Sequence, residues 1–203
     1  MQQQRFEILF EIGAYAILDG YYREAVSSFT SGIERFYEYA LRVLLEGKSP
    51  QLFESCWKPV ASQSERQLGA FIFSWAAQFG EAPQISAQGQ VEVRNRVIHK
   101  GQIPTKIEAI KYGNAALDMI RPQLKKLEKQ MPNEVLAVLR RHLQSAAAVY
   151  KPQNPVATMA LSTLVNGQGG DPSKTSPTIE EYLNRLAEWS EILKSSMGPR
   201  MST

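Results

Sequence analysis

Tyr22-Arg23-Glu24-Ala25-Val26-Ser27-Ser28-Phe29-Thr30-Ser31-Gly32-Ile33-Glu34-Arg35-Phe36-Tyr37-Glu38-Tyr39-Ala40-Leu41-Arg42-Val43 is the stretch that decides the fold. Tyr22, Val26, Phe29, Ile33, Phe36, Ala40 and Val43 follow one another at alternating steps of four and three. At 3.6 residues per turn these steps stay on one face, which predicts a long bundle helix with a continuous apolar seam. Ala25, Gly32 and Ala40 are small enough for a second helix to come close. The helix is expected to stop near Glu46-Gly47, with Ser49-Pro50 beyond. Period-two alternation occurs nowhere convincingly, so strands are not expected.

Working outward, Phe6, Leu9, Gly13, Ala16 and Gly20 mark a first helix, and Leu52, Phe53 and Trp57 are expected to fold back onto the bundle. Ser64-x-x-Gln67 has the form of a capping box, followed by the stripe Leu68, Phe71, Ile72, Trp75 and Phe79. A Gly/Pro-bearing loop over 80–89 leads to a helix over 88–100, closed by Gly101 and Pro104. Thr105-x-x-Glu108 is a second capping box, opening a helix striped by Ile107, Ile110, Leu117, Ile120, Leu124 and Leu127. Pro122 lies inside it and predicts a kink or break. Beyond Pro132, the residues Val135, Leu136, Leu139, Leu143 and Ala146 form a shorter stripe with Arg140-Arg141 opposite. Prolines and glycines crowd 150–178, which predicts loops around one short helix near 157–164. Thr178-x-x-Glu181 then caps a last helix carrying Tyr182, Leu186, Trp189 and Leu193, before a mobile tail. The fold class is all-α: a helical bundle over 1–130 and a small C-terminal helical extension over 131–203.

With 203 residues, 43% of them apolar and 21% charged, the chain can bury a substantial core. No secretory signal opens it and no window reaches the 18 or so apolar residues of a membrane span, so a cytoplasmic protein is expected. Cys56 is the only cysteine, which excludes an intrachain disulfide and a cysteine-based metal cage. The net charge is +3, yet residues 91–130 hold nine basic against four acidic side chains. Such a local field favours a phosphate-bearing partner, although a solvated helix face accounts for most charge runs.

The segment Val93-Arg94-Asn95-Arg96-Val97-Ile98-His99-Lys100-Gly101 carries the chemistry, with one of only two histidines. Arg94 and His99 sit about 140° apart on an ideal helix, and a loosened last turn with a long arginine lets both reach one phosphate. Cleaving RNA without metal needs a base for the ribose 2′-hydroxyl, charge stabilisation at phosphorus and an acid for the 5′-oxygen. His99 suits the first or last of these and Arg94 the second, with Asn95 positioning the motif or substrate. Arg96 and Lys100 flank them as candidate substrate-binding cations. One copy holds one acid/base, so a catalytic site calls for a twofold dimer. A histidine that merely meets the last helix carbonyls is the plainer alternative. Glu34 lies off the seam, where it either orients Arg94 or His99 or stays a solvated carboxylate. His142 reads as a surface residue, and no ligand cluster accompanies it. Trp57, Trp75 and Trp189 sit at or near stripe positions and read as core, and Gly167-Gln168-Gly169-Gly170 lacks the lysine and serine of a phosphate loop.

Arg94, Asn95 and His99, in this helical order, resemble the HEPN superfamily, whose motif is an arginine, often a polar residue, and a histidine after four to six intervening positions. Tyr21-Tyr22-Arg23-Glu24-Ala25-Val26 is similar to the family's second helix, and His99-Lys100-Gly101 followed by Ile103-Pro104-Thr105 to its exit from the motif. The resemblance covers residues 5 to 128 and leaves 132–203 outside. It implies a bundle that forms a homodimer through its motif helices, and a metal-independent RNA endonuclease without cofactor in a prokaryotic toxin–antitoxin or phage-defence setting. An antitoxin or regulatory protein is then a further partner. It equally admits a non-catalytic module that dimerises or binds RNA, nucleotide or protein. One toxin subgroup carries a modified tyrosine two residues after the histidine; Gly101 stands there in this chain.

Overall fold

The seam of Val26, Phe29, Ile33, Phe36, Ala40 and Val43 is buried throughout, on a helix that touches six others. The computed structural model describes residues 3–150, 164–165 and 176–196. Among them are eight helices and no strand: α1 (Arg5–Leu18), α2 (Tyr22–Glu46), α3 (Pro50–Trp57), α4 (Ser64–Phe79), α5 (Gln88–Ile98), α6 (Lys106–Gln130), α7 (Pro132–Tyr150) and α8 (Ile179–Ser196). α2 is the hub, contacting α1, α3, α4, α5, α6 and α7, while α8 lies on α1 and α6. One apolar cluster runs from Phe6 on α1 to Leu183 on α8, so α7 and α8 share the core of the first six helices.

Glycines set the closest approaches. A Cβ at Gly13 would lie 2.5 Å from Cε1 of Phe29, and one at Gly113 would lie 2.8 Å from Cε2 of the same ring. Across the α1–α2 contact, a Cβ at Gly32 would lie 2.8 Å from Phe10 Cε2. The Phe10 and Phe29 rings, both fully buried, meet at a centroid distance of 5.5 Å. α1, α2 and α6 therefore close around Phe29 at backbone distance.

Several local expectations are corrected by packing. On α1 the buried face is Phe6, Phe10, Gly13, Ala14 and Ile17, one residue round from Leu9, Ala16 and Gly20. Ile12, Tyr15 and Leu18 point outward, so the helix is apolar on more than one side and its pattern alone is ambiguous. Leu52 is exposed while Phe53 is buried and stacks on Trp57. Ile107 is exposed, and on α7 Val138 turns inward while Leu136 turns out. α6 passes through Pro122 unbroken. A mid-helix proline costs roughly 3 kcal/mol, and burying Leu124 and Leu127 beyond it returns about 1.5–3 kcal/mol each. Residues 157–163 of the short helix expected near 157–164, the glycine-rich 167–170, the Trp189 and Leu193 side chains and the tail beyond 196 fall outside the described residues.

The Phe29 contacts predict a contrast between two glycine-to-alanine changes. Gly13→Ala forces overpacking and lowers unfolding stability by about 1–3 kcal/mol. Gly69→Ala, inside α4 with nothing within 4 Å of the added carbon, raises it by up to about 1 kcal/mol. Urea denaturation of both variants reads the two signs.

Candidate functional site

α5 presents the motif as a short, thinly buried helix; Val97 is its one fully buried side chain. Gln90 Oε1 accepts the Ala87 N–H at its start (3.2 Å). At its end the carbonyl of Asn95 accepts from the N–H of His99 (3.1 Å) and of Lys100 (3.3 Å), and Gln102 N–H reaches back to the Arg96 carbonyl (3.1 Å). That last bond closes over Gly101, whose φ of +68° is the left-handed conformation expected of a helix-terminating glycine. Pro104 is buried, and Thr105 and Glu108 form the expected capping box at the start of α6. The motif is thus pinned on both sides by backbone geometry.

Arg94 crosses from α5 to two other helices. Its Nη2 donates to Ser64 Oγ at 3.3 Å and lies 4.0 Å from Glu34 Oε1, with the two charged side chains 25% and 28% exposed. Its Nε is buried without a hydrogen-bond partner. Glu34 is therefore the carboxylate that meets Arg94 across the bundle, not a solvated surface group. Ser64 does not cap α4 as its spacing suggested. Gln63 stands at the cap, Ser64 serves Arg94, and Gln67 accepts from Arg35 (3.1 Å) while donating to the Ala61 carbonyl (2.7 Å). Long-range charged donors have outcompeted the local capping box.

Electrostatics follow from this layout. Burial raises the Glu34 carboxyl above its ordinary range, opposed by Arg94 and then Arg35, and reinforced by Glu65. Glu65, fully exposed, is lowered chiefly by its own backbone amide and then by Ser64, Arg94 and His99. Arg94 and His99 thus act on one carboxylate at the start of α4. The phenols of Tyr37 and Tyr112 are pushed upward by burial and sense both Arg94 and Glu34; Tyr112 shares a hydrogen bond with Thr30 Oγ1 (2.8 Å).

The remaining motif residues are placed as follows. His99 is exposed at the C-cap of α5, Lys100 is exposed beside it, and Asn95 is half-buried. Arg96 turns toward Glu108 on α6, 3.7 Å away, rather than toward Arg94. Ser64 and Glu65 join the site without having been foreseen, since Ser64-x-x-Gln67 reads locally as a cap. The positive field of residues 91–130 is narrower than its sequence suggests. Arg121 is drawn inward to the carbonyls of Leu164 and Pro177, and Lys126 pairs with Glu81 over the Phe79 ring. Arg96, Lys100, Lys106, Lys111, Lys125 and Lys129 remain exposed. Among the described residues no cluster of three His, Cys, Asp or Glu could hold a metal ion, and no helix is long and apolar enough to cross a membrane.

No protein-family model, curated protein or solved structure matches the chain.

Because burial outweighs Arg94 at Glu34, the folded state holds that proton more tightly than the unfolded state does. The resulting penalty is absent below the unfolded carboxyl pKa and develops as pH rises through the folded one. Glu34→Gln removes it, so the melting temperature of the variant relative to wild type rises between pH 4 and pH 7 in thermal unfolding. A relative fall over that interval would show that the Arg94 pair outweighs burial.

Proposed function

We propose that the chain is a metal-independent RNA endonuclease of the HEPN type, acting as a homodimer through its motif helices. The observation that carries this reading is the division of labour on α5: Arg94 is held in place by Ser64 and Glu34, and His99 stands exposed in the same electrostatic neighbourhood. An anchored guanidinium with an accessible imidazole suits charge stabilisation at phosphorus together with proton transfer. In this reading His99 takes the proton from the 2′-hydroxyl as its oxygen attacks phosphorus. The partner subunit's His99 gives a proton to the departing 5′-oxygen, leaving a 2′,3′-cyclic phosphate. The two Arg94 side chains neutralise the pentavalent oxygens, while Arg96 and Lys100 attract the RNA backbone. Ile103 and Ile107, 76% and 65% exposed just beyond the motif, support self-association on this face. Toxin or phage-defence biology with a regulatory partner follows only from the family resemblance.

A second reading is a non-catalytic dimerisation or binding module for RNA, nucleotide or a protein. The engagement of Arg94 by Glu34 favours it, since a partly neutralised guanidinium attracts phosphate less.

Incubating the purified protein with single-stranded RNA in excess chelator separates the two. Cleavage to cyclic-phosphate ends is expected, falling about 10²–10⁴-fold in His99→Ala while the melting temperature stays unchanged because His99 is exposed. Intact RNA with wild type, or undiminished cleavage by the variant, rejects the nuclease.

A further inference from the structure

α1 carries a second stripe, opposite the one that enters the core. Arg5, Ile8, Ile12, Tyr15 and Asp19 follow at steps of three, four, three and four, so they share one face. That face looks outward. Ile12 and Tyr15 are each 48% exposed, Arg5 and Asp19 are exposed, and Ile8 is half-buried. α1 packs on α2, α6 and α8, and the contact with α8 lies on a flank, where Gln3 and Tyr182 hydrogen-bond Glu11. The stripe ends in opposite charges: Arg5 is the first residue of α1 and Asp19 stands at its C-cap. Both sit at the wrong end of their own helix. Its N-terminus is the positive end of the dipole and disfavours a cation, and its C-terminus disfavours an anion. Neither charge makes an ion pair among the described residues.

We propose that this face docks on the same face of a second copy of the chain, antiparallel, about a twofold axis at Ile12. The spacing of the charges selects that occupant. Ile12 is midway between Arg5 and Asp19, with about 10.5 Å of helix on either side. Reversing one helix about Ile12 therefore brings each arginine level with the aspartate of the other copy. The same reversal sets Ile8 beside the partner's Tyr15 and Leu9 beside the partner's Ala16. Each charge that opposes its own helix dipole then lies at the favourable end of the neighbouring one. A parallel copy would set like charges together, which costs affinity. One helix pair buries less than about 1,200 Å², the small end of specific interfaces, so the association is weak and reversible. α1 makes no contact with α5, so this surface is separate from the motif and stands whether or not the chain cleaves RNA. With a motif-to-motif contact also in use, two different twofold contacts link copies into an assembly larger than a dimer.

Oxidative cross-linking of the full chain tests it, in a Cys56→Ser background where an introduced cysteine is the only thiol. A residue on a twofold axis faces its own copy. Ile12→Cys is therefore expected to form a disulfide-linked dimer at least about tenfold faster than Leu52→Cys, because association raises its effective concentration. Leu52 is the comparison because it is similarly exposed, on α3. Adding Arg5→Asp to Ile12→Cys is expected to slow the reaction about tenfold, and adding Asp19→Arg as well to restore it. Both exchanges suit the dipole of α1 itself, so a weakened helix does not imitate the loss. Equal rates for the two cysteine variants overturn the proposal. So does an unslowed reaction with Arg5→Asp, or a double exchange that fails to recover.

Discussion

A central helix cannot bury itself without burying its charges, and α2 carries Glu34, Arg35, Glu38 and Arg42 in a single stretch. Each has to find a partner at the moment its neighbours close over it, because an unpaired buried charge costs several kcal/mol. Glu38, almost wholly buried, is gripped by Arg35 and Arg42 from its own helix. Arg42 extends to Glu54 and lies over the Phe53 ring of α3, its guanidinium carbon 4.0 Å from the centroid. Arg35 extends to Gln67 of α4, and Glu34 faces Arg94 of α5. The seam docks α1 and α6 by shape and receives Phe71 of α4 on Phe36; the charged flank adds pairing to the apolar contacts of α3, α4 and α5. The candidate site is a product of that second mode of docking.

This explains what could be read in advance. The α2 seam was legible because its steps of three and four never break and the opposite face is polar. The boxes at Thr105 and Thr178 were legible because all their partners lie within three residues. The box at Ser64 was not, since Arg94 and Arg35 arrive from distant parts of the chain and claim its members. The inward face of α1 was obscured by Ile12, Tyr15 and Leu18 on its outer side, and the run of α6 through Pro122 depends on buried leucines that a local rule does not weigh. Within the motif, the residue types and the Gly101 terminator were visible in the sequence. The pairing of Arg94 with Glu34 and the turning of Arg96 to Glu108 were not, because each is decided by another helix.

The motif helix itself owes little to burial. One buried valine, a side-chain bond at its start and a left-handed glycine at its end hold it, while Arg94 ties its middle to α2 and α4. Arg94 is consequently tied to two other helices, while His99 stands exposed. On the proposed nuclease reading, this arrangement separates the group that would keep its position from the group that would exchange protons with substrate.

The Phe29 ring, closed in by Gly13 on one side and Gly113 on the other, has a consequence for synthesis on the ribosome. α1 and α2 are adjacent in the chain and make the most extensive helix contact, so they can pair while the rest is still being translated. Their hairpin leaves one side of the ring bare until α6 has left the exit tunnel. Nascent chains that end between α2 and α6 therefore display an aromatic surface of the sort that chaperones hold, and the mature protein hides it completely.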